Sequence, residues 1–410
     1  MGGPRRDGTM PAMVTPQLLI AGGGMGGLAA ALAVARAGWA VRLYERAPAF
    51  TEVGAGIQLG PNATRILHGW GLEDGLRAVA AFPDRLQVRC ALSGAELGVL
   101  PLGARALQRY GAPYATVHRA DLHALLRRAA EEQAGVHIGL DQGLDAFADD
   151  GQAVRLKTAR GLEVEGDALL GADGLWSRVR QQLLSDGPPR ATGHLAYRAM
   201  LRTAALPPAL RGPQVTAWLG PRLHVVQYPV RRGEAMNVVA IVHGAVAGEA
   251  QDWDHEAHAA GLRHALGAVC APLRELVDAA PGATLNPHAW RLWALADRPA
   301  VSGPHQMARG LVALAGDAAH PMRPYLAQGA GMAIEDAAAL AHALAMDAVD
   351  VPTRLQRYAL ARWQRCARVQ ARSVRNGRVF HAIGLVRLGR DMSIRLLGDK
   401  VLDVPWLYRA

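Results

Sequence analysis

Lysine is almost missing. Of the 45 basic side chains in this 410-residue chain only Lys157 and Lys400 are lysines, and the arginines are scattered. The formal net charge of +10 is therefore spread along the chain without a basic block. That argues against nucleic acid as a partner and leaves a field that attracts anionic small molecules. Cysteine is equally scarce. Cys90, Cys270 and Cys366 are odd in number, far apart and without a CxxC pair. Neither a disulfide framework nor a zinc site is indicated, no metal is expected, and a reducing cytoplasm suits the chain. No run of about 20 uninterrupted apolar residues occurs, so no membrane-spanning helix is expected. The opening MGGPRRDGTMPAMVTPQ has arginines but no apolar stretch before Leu18, and it reads as leading straight into the fold rather than as a leader peptide.

What is present is an ordinary soluble composition, half hydrophobic and one fifth charged, in a chain long enough for two domains. Gln17–Ala21 is an apolar run ending in GGGMGG. An alanine-rich helical stretch from Leu28 to Gly38 follows, and AVRLYE then ends in an acid. This is strand, helix, strand, the opening of a parallel sheet covered by helices. Residues 118–135 read as an amphipathic helix with Leu122, Leu125, Leu126 and Ala129 on one face. From about Thr192 to Ala289 the character changes to β-rich segments such as LHVVQYPV and MNVVAIVHG, broken by Pro207-Pro208 and Pro281-Gly282. These predict a second, sheet-forming domain. LVALAGDAAHP returns to the first domain, and a long helical tail from about Pro352 to Arg390 precedes the apolar end VPWLY.

Three clusters carry chemistry. Gly22, Gly24 and Gly27 fit GxGxxG between a strand and a helix, and Glu45 ends the next strand. Glycine permits the tight turn and lets backbone amides approach a pyrophosphate at a helix N-terminus, while the acid takes ribose hydroxyls. FAD and NAD fit this pattern equally. GADGLWSRVR (171–180) repeats a strand-end glycine and acid, Asp173, with Ser177 and Arg180 beyond. It reads either as a cofactor contact or as an Asp-Gly turn with a capped helix. In GDAAHPMRPYLAQGAGMAIEDA (316–337), Asp317 stands at a strand end where it would bond a polyol. Gln328, Gly329, Ala330 and Gly331 offer amides at a helix start, which would favour a flavin ring that becomes anionic on reduction. Arg119 is a cation at the first turn of a helix, opposing the helix dipole; it is either solvated or faces an anion. His224 and Tyr228 lie four apart on a predicted strand, so they share a face. They are either two amphipathic side chains on a half-buried strand or members of one pocket. His320 and Arg323 stand in the same segment as Asp317.

With YERAPAFTEVGAGIQLGPNA, HRADLH, GADGLWSRVR, the Gly-Asp segment and the terminal WLY in this order, the sequence resembles the single-component class A FAD-dependent aromatic hydroxylases. The resemblance runs from about residue 14 to the end. It is to the branch that contains salicylate hydroxylase, 3-hydroxybenzoate 6-hydroxylase and 6-hydroxynicotinate 3-monooxygenase. It implies an α/β fold with a glutathione-reductase-like, Rossmann-type FAD-binding domain, an inserted β-sheet substrate domain and a C-terminal helical tail. The expected boundaries are 14–190 and 290–350 for the FAD domain, 191–289 for the sheet domain and 351–410 for the tail. The resemblance implies that Gly22, Gly24 and Gly27 hold the pyrophosphate, Glu45 and Arg46 the adenosine end, Arg119 the FAD backbone, and Asp317 the ribityl or pyrophosphate region. Asp173 and Arg180 lie in the segment linked to both FAD and NAD(P)H. His224 and Tyr228 match a pair that points at the substrate. The implied reaction takes electrons from NAD(P)H and, through a flavin C4a-hydroperoxide, hydroxylates a small phenolic or hydroxypyridine carboxylate with O2.

His224 is the expected acceptor of the phenol proton, because an unperturbed imidazole titrates near neutrality, and Tyr228 is expected to orient the ring. Arg323 is a candidate carboxylate partner or an exposed loop arginine, and His320 a structural or catalytic neighbour of the flavin. Two departures mark the pocket. Pro324 replaces a glutamine found in 3-hydroxybenzoate 6-hydroxylase, and Gln58 replaces a histidine of the hydroxynicotinate enzyme. The competing readings are an oxygenase for a larger polycyclic or quinone-type substrate and a non-catalytic FAD-fold binding protein. A flavin halogenase is weaker, for want of a WxWxIP-like segment. A homodimer in the cytoplasm is the expected state.

Overall fold

The computed structural model describes residues 15–50, 55–244, 255–257, 259–285 and 289–409. Residues 1–14, read above as leading into the fold, and 51–54, which end in the first glycine of GAGI, lie outside them.

Gln17–Ala21 forms a strand inside a six-stranded sheet. Ala40–Tyr44 and Val136–Gly139 lie on one side of it, and Ala168–Gly171 with the hairpin of Ala308–Arg309 and Val312–Leu314 on the other. All but the short hairpin strand run parallel. Parallel strands are covered on both faces, which is why Leu18, Leu19, Ile20, Leu169, Leu170 and Val312 are all fully buried. The register sets Ala21 beside Gly171 and Gly171 beside Leu314. Three segments distant in sequence therefore leave the sheet at one end: the first into a glycine loop, the other two into loops that carry glycine and an acid, Asp173 and Asp317.

A second, eight-stranded sheet runs in the order His255–Ala257, Trp290–Asp297, Arg190–Arg202, Ala235–His243, Leu223–Val230, Val215–Gly220, Arg85–Cys90, Glu96–Pro101. It thus takes strands from either side of the 191–289 span. Within that span, two helices appear where only sheet was expected, Ala259–Leu266 and Ala271–Ala283. Leu273, Leu276, Val277 and Ala280 recur at helical spacing and pack into the core of this sheet, and Pro281 falls in the helix's last turn instead of breaking it.

The tail is helical but not continuous to Arg390. Val351–Phe380 ends at His381, and Gly384, at φ +55°, turns the chain into a second helix, Gly384–Leu397. The end packs down as expected: Leu407 is fully buried, and Arg365 donates to the carbonyls of Trp406 and Leu407 at 3.2 and 2.7 Å.

A buried charge network ties these parts to the Gly-Asp loop. Asp336, on the helix Gly329–Leu344, accepts from the Gly316 N–H at 2.9 Å, from His320 Nε2 at 2.5 Å and from Arg362 Nε at 2.8 Å. Arg362 and Arg365 also clasp Glu335 at 2.7 and 2.6 Å. His320 is thereby a structural ion-pair partner. Burial alone would push its pKa down, but the Asp336 carboxylate reverses this and holds it well above the ordinary imidazole value. Removing one member of such a network strands the others, so Asp336→Asn should lower stability by about 3–5 kcal/mol in chemical denaturation. Because folding raises the His320 pKa, its contribution is complete below the unfolded imidazole pKa and is lost as pH rises. Wild-type stability should fall above pH about 6.5 by up to about 1.4 kcal/mol per unit from this group, and denaturation midpoints of His320→Gln should lack that slope.

Candidate active site

The loop after Ala21 is built by sterics. Gly22 has φ +105°, and a Cβ there would lie 2.5 Å from the Ala172 carbonyl oxygen. A Cβ on Gly27 would overlap the Gly22 carbonyl, so Gly27 lets the helix Met25–Arg36 start close to the strand. A Cβ on Gly24 would meet nothing within 4 Å, because this residue faces open space. Glu45 is held in place by backbone amides: the Gly23 N–H donates to Oε2 at 2.6 Å and the Ala47 N–H to Oε1 at 2.9 Å. His123, unremarked in the sequence, is buried with Nε2 2.8 Å from the Gly23 carbonyl and packs edge-on to Phe50.

That open space is a trough in two connected parts. The first, about 760 Å³, is lined by Gly22, Gly24, Glu45, Arg46, Arg119 and Asp173. The second, about 320 Å³, includes Arg119, Asp317, Gln328, Gly329 and Ala330, and its far wall is His224 and Tyr228. Gly24, Arg119, Ala172 and Gly174 line both, so the parts are continuous. Gly27 and Gly331 line neither. Gly331 packs instead on Gln328, where a Cβ would lie 3.0 Å from Oε1.

Two of the expected contacts are committed to protein. Asp173 accepts from Ser177 Oγ at 2.5 Å and from the Arg178 and Val179 N–H groups at 2.8 and 3.2 Å, closing the first turn of Arg178–Leu184 while its segment walls the trough. Arg180 is buried and donates to the carbonyls of Ala318 and Ala319 at 3.1 and 2.6 Å. It braces the Asp317 loop from behind. Arg323 is bound to Asp297 at 2.6 Å, so neither the free loop arginine nor the carboxylate partner describes it.

Asp317 is different. Its carboxylate has no hydrogen-bond partner among the described residues, and it is exposed to the trough although protein surrounds it. Burial pushes its pKa up, and the charges of His320 and Arg119 oppose the rise. The dipole-opposing cation at Arg119 thus has an anion within electrostatic range. Ala327 precedes Gln328 in the left-handed region, at φ +52°, a strained conformation for a residue with a Cβ. It brings the amides at the start of Gly329–Leu344 to the trough, while Gln328 Oε1 is taken by Asn62 at 3.0 Å.

The roof comes from the large sheet. Its register sets His224, Val226 and Tyr228 opposite Ile241, Val239 and Asn237, and Arg198 opposite Val239 from the other side. Alternate residues of each strand face the cavity, and Arg198, missed in the sequence, lines it with its guanidinium 3.6 Å over the Trp293 ring. Burial and the neighbouring His194 hold the His224 pKa down to about 3, so it does not titrate near neutrality as expected from its residue type. Burial pushes the Tyr228 hydroxyl up, against the opposing charge of Arg198 and a hydrogen bond with Gln58.

FAD fits these residues: a glycine cradle with open space at Gly24, a fixed acid at Glu45, an open one at Asp317, a cation between them, and helix-start amides under the roof. Asp317→Ala should weaken FAD binding at least about tenfold in a fluorescence titration, the loss of one charge-assisted hydrogen bond, while leaving the fold intact by circular dichroism.

A model of the FAD binding domain family matches residues 15–373. The chain is 38% identical over 394 residues to a 3-hydroxybenzoate 6-hydroxylase of Polaromonas naphthalenivorans (strain CJ2), covering 95% of each chain. It is 37% identical over 363 residues to a 6-hydroxynicotinate 3-monooxygenase of Bordetella bronchiseptica, covering 87% of this chain and 90% of that one. A solved salicylate hydroxylase substrate complex shares the fold, with a TM-score of 0.80 at 24% identity over 97% of this chain and 96% of that one. The chain belongs to the FAD binding domain family and is one of its FAD-dependent aromatic hydroxylases.

Proposed function

We propose that the substrate is a single-ring phenolic or hydroxypyridine carboxylate, with NAD(P)H as the electron donor and O2 as the oxidant. The observation that carries this reading is the composition of the roof, where a neutral imidazole, a phenol and a guanidinium face one cavity of about 320 Å³. That is the small end of ligand pockets, and the amides at Gly329 and Ala330 share it, which leaves room for one aromatic ring rather than a polycyclic or quinone-type substrate. Bound FAD would supply the redox chemistry, taking electrons from NAD(P)H and transferring one oxygen atom of O2 to the ring.

The protein's own residues would do the rest. Glu45 and Arg46 would hold the adenosine end, Gly22 and Gly24 with Arg119 the pyrophosphate, and Asp317 the ribityl hydroxyls. Gln328, Gly329 and Ala330 would present the helix-start amides to the ring. His224, neutral at working pH, would accept the substrate's phenolic proton and make the ring carbon nucleophilic, while Tyr228 would orient the ring by its hydroxyl. Arg198 takes over the role considered for Arg323, as the cation that pairs with the substrate carboxylate. Val226, Val239 and Ile241 would keep water from the reacting centre. Pro324 and Gln58, the two departures that the resemblance marks, both line this cavity.

No helix among the described residues is long and apolar enough to cross a membrane. Three buried free cysteines suit the cytoplasm. Pairing of two copies would cover Leu385, Val386, Met392 and Leu396, which the helix Gly384–Leu397 leaves exposed.

A panel of hydroxybenzoates and hydroxypyridine carboxylates, followed by NAD(P)H oxidation and product identification, should give one hydroxylated product; oxidation that yields only peroxide would refute the reading. His224→Ala should slow hydroxylation by about 10²- to 10⁴-fold with FAD affinity unchanged, and unchanged turnover would remove His224 from the chemistry. Since the His224 pKa lies at about 3, its base form is complete above that pH, and kcat/KM should show no acid limb between about pH 5 and 7 from this residue.

A further inference from the structure

The polar structure does not end at His224. Its Nδ1 is 2.7 Å from Nε2 of His381, and Nδ1 of His381 is 3.0 Å from Nε2 of His243. His224 is buried in the cavity wall, His381 is buried behind it, and His243 is exposed at the end of its strand. The three rings run from the cavity to the surface. Two sets of tautomers satisfy both contacts, and in one of them His224 donates from Nδ1 to His381, which donates from Nδ1 to His243. This leaves Nε2 of His224 as an acceptor for the cavity.

The chain is bent to make this possible. His381 stands at the break between the two tail helices, its N–H bonded to the Gly377 carbonyl and its own carbonyl accepting from Arg222, each at 3.1 Å. His194, cross-strand to His243, packs on it with ring centroids 4.5 Å apart and takes the Tyr325 hydroxyl at 2.7 Å. His194, His243 and His381 could together reach one metal ion, yet Nδ1 of His381 and Nε2 of His243 already face each other at hydrogen-bond distance.

We infer that His224, His381 and His243 form a proton relay that carries the substrate's phenolic proton out of the closed cavity to solvent. The inference rests on the phenolic substrate class proposed above. The phenol O–H breaks and its proton goes to Nε2 of His224. The Nδ1 proton of His224 passes to Nε2 of His381, the Nδ1 proton of His381 to Nε2 of His243, and the Nδ1 proton of His243 to water. No electrons move, and each ring ends neutral in its other tautomer. Protonation of the product's phenolate oxygen runs the same steps backward and restores the set. Burial and the charges of Arg222 and Arg390 disfavour a resting imidazolium on His243 and His381, so the proton is passed on rather than stored. His381 and His243 are positioning residues that act through His224.

Two measurements test the relay on the FAD-loaded enzyme. Nitrogen NMR of histidine-labelled protein should show couplings across both N–H···N bonds; their absence would overturn the relay whatever the substrate. In stopped flow with a pH-indicator dye and 3-hydroxybenzoate as probe, His381→Phe and His243→Phe should release the proton about 10- to 100-fold more slowly, with FAD content unchanged. Free imidazole should restore much of the rate to His243→Phe, which a merely structural role would not allow. His243 is exposed, so this variant keeps the test decisive if His381→Phe fails to fold. Wild-type rates in both variants, while His224→Ala remains slow, would overturn the relay and leave His224 as the base. Loss of wild-type activity on removal of trace metal with EDTA would also overturn it, in favour of a metal site. A wild-type enzyme that hydroxylates no phenol of the panel would sink the parent reading and the relay together.

Discussion

The alignment of three parallel strand ends governs this molecule. Ala21, Gly171 and Leu314 sit side by side because the sheet pairs Gln17–Ala21 with Ala168–Gly171 and the latter with Val312–Leu314. Ligands of open parallel sheets gather at the carboxyl ends of strands, and here all three loops bring glycine to that end, two of them with a carboxylate of their own and the first with Glu45 of the neighbouring strand bonded to it. The strands cannot slip without moving a fully buried apolar row, so the loops inherit the rigidity of the core. Asp336 adds a second constraint from behind. Bonded to Gly316, His320 and Arg362 at once, it fixes the third loop against two helices, and a buried charge cluster of this kind tolerates few alternative arrangements.

The two ends of the trough are chemically unlike. Around Glu45 and Asp173 the carboxylates are occupied by backbone amides, so their geometry is set before a ligand arrives. Asp317 faces the trough without a hydrogen-bond partner among the described residues, its anion favoured by the charges of His320 and Arg119, so its carboxylate is open to a cofactor's hydroxyls. Over this region the large sheet lays a roof in which polar groups at His224, Tyr228 and Arg198 alternate with Val226, Val239 and Ile241. A mostly apolar lid with a few aimed polar groups is what a reaction sensitive to water requires.

Much of this was legible in the sequence. The strand, glycine turn, helix and acid around Gly22 to Glu45 announce themselves because each step has a strict local requirement: positive φ at Gly22, no room for a Cβ at Gly27, a carboxylate at the strand end. The position of Asp317 was readable for the same reason. What the sequence concealed depends on tertiary neighbours. Nothing local tells that Arg180 turns inward to Ala318 while Arg323 is taken by Asp297, or that Arg198, one of many scattered arginines, faces the cavity. The environment of His224 was misjudged because a residue's ordinary pKa says nothing of burial. The helix Ala271–Ala283 was missed because Pro281-Gly282 looks like a stop when it lies in the last turn. The break at His381 was hidden inside a strongly helical pattern, and only the fold shows that it places an imidazole between two others.

The most direct test of the central claim is a crystal structure of the FAD-loaded protein. One cofactor should run the length of the trough, with adenosine beside Glu45, pyrophosphate between Gly24 and Arg119, ribityl at Asp317 and the ring under the roof at Gln328, Gly329 and Ala330. Density for FAD that leaves Asp317 untouched, or that binds outside the edge shared by the three strand ends, would contradict the account.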